Sequence, residues 1–208
     1  MNSGATAERV NDVLKRRIMD YEFRPGDRLD PSTLAKALAS SATPVCEALH
    51  VLTGERLVET RPSDGFHLPQ VDERALKDLY AWNDEVIRQA VRGWPKIGRD
   101  ATPFASVRAA VSLSDAARDL FARIADRSTN AEHGRMIASL NARLHAARTV
   151  ELHIIDDIET ELRVISEALE ADDRPTLLRL TTLYHRRRFR AAADIVRALY
   201  RTPSSRSY

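Results

Sequence analysis

Between Ser40 and Leu52 the chain sets two kinds of side chain on opposite faces of one helix. Val45, Ala48, Leu49 and Leu52 recur at helical spacing and form an apolar stripe. Thr43, Glu47 and His50 fall on the outward face, with Ser41 at the start. Hydroxyl, carboxylate and imidazole groups so arranged reach phosphates and base edges when a helix lies in the major groove of DNA. Ser41 is placed to cap the helix and to donate to a phosphate there. Arg61, farther along, adds a guanidinium. Basic charge is what the stretch lacks: Ser40 to Leu49 contains no Arg or Lys.

The elements that would position these groups are legible. Val10, Val13, Leu14 and Ile18 predict a helix over about 7–21. Pro25-Gly26 ends it with a turn, and Asp30 followed by Pro31 starts a second helix with Leu34, Ala35 and Leu38 inward. Ser40 or Ser41 caps the third, which Gly54 is placed to stop in a left-handed conformation. Strands follow at 57–61 and 65–68, joined through Pro62-Ser63-Asp64-Gly65. These elements predict a winged helix-turn-helix over residues 1–69. Residues 70–208 predict an antiparallel all-α bundle, with helices at about 72–92, 105–111, 114–128, 131–147, 149–171 and 174–200, broken by a Gly- and Pro-containing stretch at 93–103. The fold class expected is mostly α.

Composition narrows the function classes. Of 208 residues, 43% are hydrophobic and 30% charged, the balance of a folded domain rather than a disordered one. Cys46 stands alone, so no internal disulfide can form and a reducing, cytoplasmic setting is expected. No apolar run is long enough for a membrane span. Residues 1–70 are formally −1, an unusual balance for a DNA reader, which normally gains affinity from a basic face. No phosphate loop, nucleophile elbow or His-Glu-x-x-His motif occurs, so no catalytic residues and no enzyme are expected.

Phe23-Arg24-Pro25-Gly26-Asp27-Arg28-Leu29 and Thr43-Pro44-Val45-Cys46-Glu47-Ala48-Leu49, together with the hairpin, resemble the GntR superfamily of bacterial regulators. The helical second region resembles the FadR-like subfamily. That resemblance implies a homodimer, an N-terminal reader of double-stranded DNA, and a bundle that senses a small organic effector, often through a metal. The family motif places arginines where this chain has Ala42 and Cys46. Each lost bidentate contact costs about 1–3 kcal/mol of discrimination, so weak or atypical DNA binding is expected. Cys46 is read as a replaced arginine rather than a redox switch.

The family's metal positions align on Ala117, Phe121 and Leu162, leaving His185 as the one matching histidine. One imidazole does not make a metal site, so no metal and no cofactor are expected. Asn83, Arg143 and His185 are the polar residues expected nearest an effector. His133, His145 and His153 read as solvated or singly bonded. Asp156, Asp157, Glu159 and Glu161 read as the wet face of a long helix, as do Arg186, Arg187, Arg188 and Arg190. Trp82 and Trp94 read as core. The sequence therefore implies a DNA-binding transcription regulator responding to a small organic effector. The alternative is a regulator scaffold without operator binding, turned to small-molecule binding, antagonism of a paralogue, or catalysis.

Overall fold

Asp30 shows how locally this chain specifies its turns. Its carboxylate accepts a hydrogen bond from the Thr33 amide at 2.8 Å and Pro31 occupies the first helical position. In the computed structural model, which describes residues 3–95 and 112–201, this starts a seven-residue helix, α2 (Pro31–Ala37). The chain divides into two compact units, one running to Val71 and including 198–201, the other Asp72–Arg197.

In the first unit, α1 (Ser3–Met19) buries Val10, Leu14 and Ile18. After Gly26, whose φ of 89° suits only glycine at low cost, comes β1 (Arg28–Leu29). Past α2, the chain turns at Ala39 and enters α3 (Ala42–Gly54), which sets Val45, Ala48, Leu49 and Leu52 against α1 and α2. A hairpin of β2 (Glu59–Arg61) and β3 (Gly65–His67) completes the unit, with Arg61 opposite Gly65. The sheet has three strands in the order β1-β3-β2, all antiparallel, with Leu29 opposite Phe66. β1 was not expected: two residues are too few to show alternation, and only pairing with β3 makes them a strand. The strand expected from Leu57 begins at Glu59, because Leu57 and Val58 turn inward and their amides both donate to the Leu52 carbonyl.

Gly54 corrects a second expectation. It is the last residue of α3, and Arg56 is the one that takes the left-handed conformation, at φ 60°. Ser41 is the N-cap residue, yet its side chain makes no capping bond.

The second unit holds α4 (Glu73–Arg92), α5 (Leu113–Asp126), α6 (Ala131–Glu151), α7 (Ile158–Glu170) and α8 (Arg174–Arg201), the last running on into the first unit. Asp72 caps α4 through the Ala75 amide, Ser112 caps α5 and Asn130 caps α6. α4 and α8 run antiparallel, as shown by Lys77 lying over the Phe189 ring while Arg88 donates to Thr182. α5 packs on α4, α6 and α7, and α4 on α6. The helix expected over 105–111 lies outside the described residues. The single helix expected over 149–171 is in fact two. Apolar spacing continues through Val150, Ile154 and Ile158, but the chain turns between Glu151 and Ile158, with Asp157 left-handed at φ 56°. Asp is one of the few residues that tolerates this conformation.

Because Gly54 is helical and a Cβ there meets nothing within 4 Å, Gly54→Ala should stabilise the protein by about 0.5–1 kcal/mol in urea unfolding. A loss of stability would mean that Gly54 holds a left-handed stop after all.

Candidate DNA-facing helix and the polar interior of the helical unit

The outward face of α3 carries Ser41, Ala42, Thr43, Glu47 and His50, all exposed, with Cys46 half-buried beside them. Ser41, free of a capping bond, leaves its hydroxyl and the first amides of α3 available to an anion. His50 stands edge-on to Phe66 of β3, with ring centroids 4.9 Å apart, so the wing buttresses that end of the helix. Arg61 is held by Glu59, Nη2 to Oε1 at 2.8 Å, which neutralises the one cation expected of the wing. Arg28 lies 3.9 Å from Asp64, Lys15 is paired with Glu55 at 2.6 Å, and Arg17 is paired with Glu22.

Lys36, missed in the sequence reading, is exposed in the last turn of α2, just before the turn into α3, and has no ion pair among the described residues. It is the one Lys or Arg between Leu29 and Glu55, a signal present in the sequence once the search for charge extends beyond the recognition helix.

The interior of the helical unit is more polar than its sequence suggested. Arg188 is fully buried, its Nε donating to Glu151 at 2.9 Å and its Nη1 to Glu161 at 2.6 Å. Its guanidinium stacks 3.3 Å from the Tyr184 ring centroid. Tyr80, also fully buried, donates its hydroxyl to the other Glu151 oxygen. Burial, then Glu151, raises the Tyr80 phenol well above its ordinary range, so it stays a donor. Burial pulls the Arg188 pKa down, but Tyr184, Glu151 and Glu161 outweigh it and hold the group above its usual value. Arg188 and Glu161 are therefore not the solvated faces expected of them, since each has its counter-charge inside the unit.

Asn83 and His185, 102 residues apart, meet inside this interior, with Asn83 Nδ2 2.8 Å from His185 Nε2. His185 Nδ1 lies 2.7 Å from the Thr181 carbonyl, which can only accept, so Nδ1 carries the proton and Nε2 accepts from the Asn83 amide. Burial lowers the His185 pKa below 6.5, although Asp84, 3.4 Å from Nδ1, opposes the shift. Burial alone would raise Asp84, but His185 and Arg88 bring it below the ordinary carboxylate value. Arg143 is half-buried on α6; the arginine on that helix that is buried at 2% exposure is Arg148.

The residues at the aligned metal positions do not fit a metal. Ala117, Phe121 and Leu162 are buried apolar side chains, and His185 has both nitrogens engaged. Among the described residues no group of three or more His, Cys, Asp or Glu side chains could hold an ion. Of the other singled-out groups, His145 is buried rather than solvated, and His133 bonds Ser128. Trp94 is core, its indole donating to the Ile124 carbonyl at 2.9 Å, whereas Trp82 is half exposed on α4. No described helix is long and apolar enough to cross a membrane.

Residues 6–68 match the family described as bacterial regulatory proteins, gntR family. Over 74 residues the chain is 38% identical to the Nta operon transcriptional regulator of Aminobacter aminovorans, covering 36% of this chain and 35% of that protein. Over 70 residues it is 34% identical to the transcriptional regulator McbR of Escherichia coli, covering 34% and 32%. The chain thus matches about a third of the length of these curated relatives. Two solved structures share the fold over nearly the whole length. A GntR regulator from Rhodococcus sp. RHA1 has a TM-score of 0.69 at 23% identity, over 93% of this chain and 99% of that one. E. coli McbR/YncC has a TM-score of 0.63 at 20% identity, over 91% and 97%.

The neutral His185 has a measurable consequence. As the pH falls below about 6.5, the unfolded chain takes up a proton that the folded His185 refuses, so its contribution is complete above 6.5 and lost on acidification. Thermal unfolding between pH 7.5 and 5.5 should show stability falling by up to about 1.4 kcal/mol per pH unit from this group, and His185→Gln should flatten the slope. An unchanged slope in the variant would mean that His185 is not the buried neutral group.

Proposed function

We propose that this protein, whose residues 6–68 form a gntR-family domain, is a bacterial transcription regulator that binds double-stranded DNA as a homodimer in the cytoplasm and answers to a small organic effector held in its helical unit. The observation that carries this reading is the preserved support of α3. Its buried stripe, the turn before it and the paired wing beside it leave Ser41, Ala42, Thr43, Glu47 and His50 outward, and curated relatives matched over this region are named as transcriptional regulators. In this reading Thr43, Glu47 and His50 face base edges, while Ser41 and the α3 N-terminus hold a phosphate together with Lys36. Arg61 contributes little charge because Glu59 already neutralises it. Asn83 and His185 line the effector site with Arg143 nearby, and the protein needs no catalytic residue.

A gel-shift of the purified protein on the DNA upstream of its own gene, across salt, tests the reading. A retarded band surviving excess non-specific competitor at low salt is expected. No specific band at any salt would remove operator binding and leave a scaffold put to another use. Adding Ala42→Arg and Cys46→Arg together should tighten DNA binding at least about 100-fold and steepen the salt dependence, since two guanidiniums per subunit join the outward face. Equal affinity would show that α3 does not enter the groove.

A further inference from the structure

Ala42, Thr43, Cys46, Glu47 and His50 fall on the face of α3 opposite the buried stripe of Val45, Ala48, Leu49 and Leu52. At a rise of about 1.5 Å per residue they span about 12 Å, a reach of about three to four base pairs. What this face can recognise follows first from what it lacks. Guanine shows two acceptors in the major groove and is gripped by Arg or Lys, while adenine shows a donor beside an acceptor and is matched by Asn or Gln. None of those four residue types occurs in α3. The wing does not make up the loss, since Glu59 engages Arg61.

The face offers instead small apolar surfaces and one acceptor. Ala42 ends in a methyl group, and Thr43 carries a methyl beside its hydroxyl, both exposed. The half-buried Cys46 thiol packs as a small hydrophobe. In the major groove the thymine C5 methyl is the apolar group among the base edges, and the methyls of Ala and Thr are its usual partners. Glu47 is exposed and has no ion pair among the described residues. Its carboxylate can only accept, so beside a polyanion it costs affinity unless a donor meets it. The adenine amino group is flanked by the N7 acceptor, which opposes the second carboxylate oxygen. The cytosine N4 amino group is the donor that fits.

We propose that α3 selects double-stranded DNA by thymine methyl groups and one cytosine amino group instead of by guanine. Ala42, Thr43 and Cys46 pack on C5 methyls, and Glu47 accepts from a cytosine N4. The inference rests on the DNA-reading role proposed above and names the class of sequence that role selects. His50, edge-on to Phe66, ends this face toward the wing. An imidazole has no pair of donors side by side, so it does not restore a grip on guanine.

The test is to enrich binders of the whole protein from a pool of random-sequence duplexes, then alter the enriched duplex one base at a time. Uracil in place of thymine deletes only the C5 methyl. At two or more positions it should weaken binding about fourfold each, as expected for one small apolar group taken out of water. N4-methylcytosine at one position puts a methyl where the carboxylate must sit and should weaken binding about tenfold. 7-Deazaguanine, which deletes the N7 acceptor, should change affinity by less than about twofold at every position. Glu47→Gln should move the preference at the cytosine position to adenine, whose N6 and N7 suit an amide. A merely structural Glu47 gives no such switch. Thr43→Ser, which loses a methyl and keeps the hydroxyl, should erase the uracil penalty at one thymine and leave the others. An enriched duplex indifferent to every uracil, or weakened about tenfold by 7-deazaguanine, overturns the inference and leaves DNA reading intact. No enriched duplex at all removes the DNA-reading role, and this inference with it.

Discussion

The ion pairs that Arg188 makes inside the helical unit are the constraint on which that unit depends. Glu151 at the end of α6, Glu161 in α7 and Tyr80 in α4 all reach the same guanidinium or its partner carboxylate. Four helices are thereby fixed at one point, and Tyr80, Glu151 and Arg188 are too deeply buried to exchange their partners for water. Removing Arg188 strands the buried Glu151 carboxylate, which costs more than the pair itself contributes. The turn between α6 and α7 follows from the same demand. Glu151 and Glu161 can approach Arg188 together only because the chain reverses between them instead of continuing as one helix.

Arg148 is held differently: among the described residues it has no carboxylate, and its Nη1 donates to Asn141 Oδ1. The winged unit is held together mainly by its apolar framework. That framework is complete, while several of its cations are engaged by neighbours: Arg61 by Glu59, Arg28 by Asp64, Lys15 by Glu55 and Arg17 by Glu22. Lys36, in the last turn of α2, has no ion pair among the described residues. In the proposed reading such a unit draws little affinity for DNA from charge, and more of its discrimination comes from the outward side chains of α3.

Much of the fold was legible because it is written in local chemistry. Asp30 with Pro31 marks a helix start, and the stripe Val45, Ala48, Leu49 and Leu52 marks the buried face of α3. What escaped the sequence is what only tertiary structure decides. β1 exists by pairing, and the break after Glu151 is invisible to a periodicity that runs on through Ile158. Polar residues were the hardest to place. Asn83, Arg143 and His185 were named together; Asn83 and His185 touch, while Arg143 is half-buried on the helix where Arg148 is the deeply buried arginine. An arginine on an amphipathic helix ordinarily reads as solvent-facing, and nothing local announces that Asn141 and Phe121 will enclose it.

One titration tests most directly whether α3 reads DNA. Affinity of the whole protein for the DNA upstream of its own gene should be measured across salt, beside a non-specific duplex of equal length. Tighter binding to the upstream DNA, with a shallow dependence on salt, is the predicted result. Equal affinity for both duplexes at every salt concentration would contradict it.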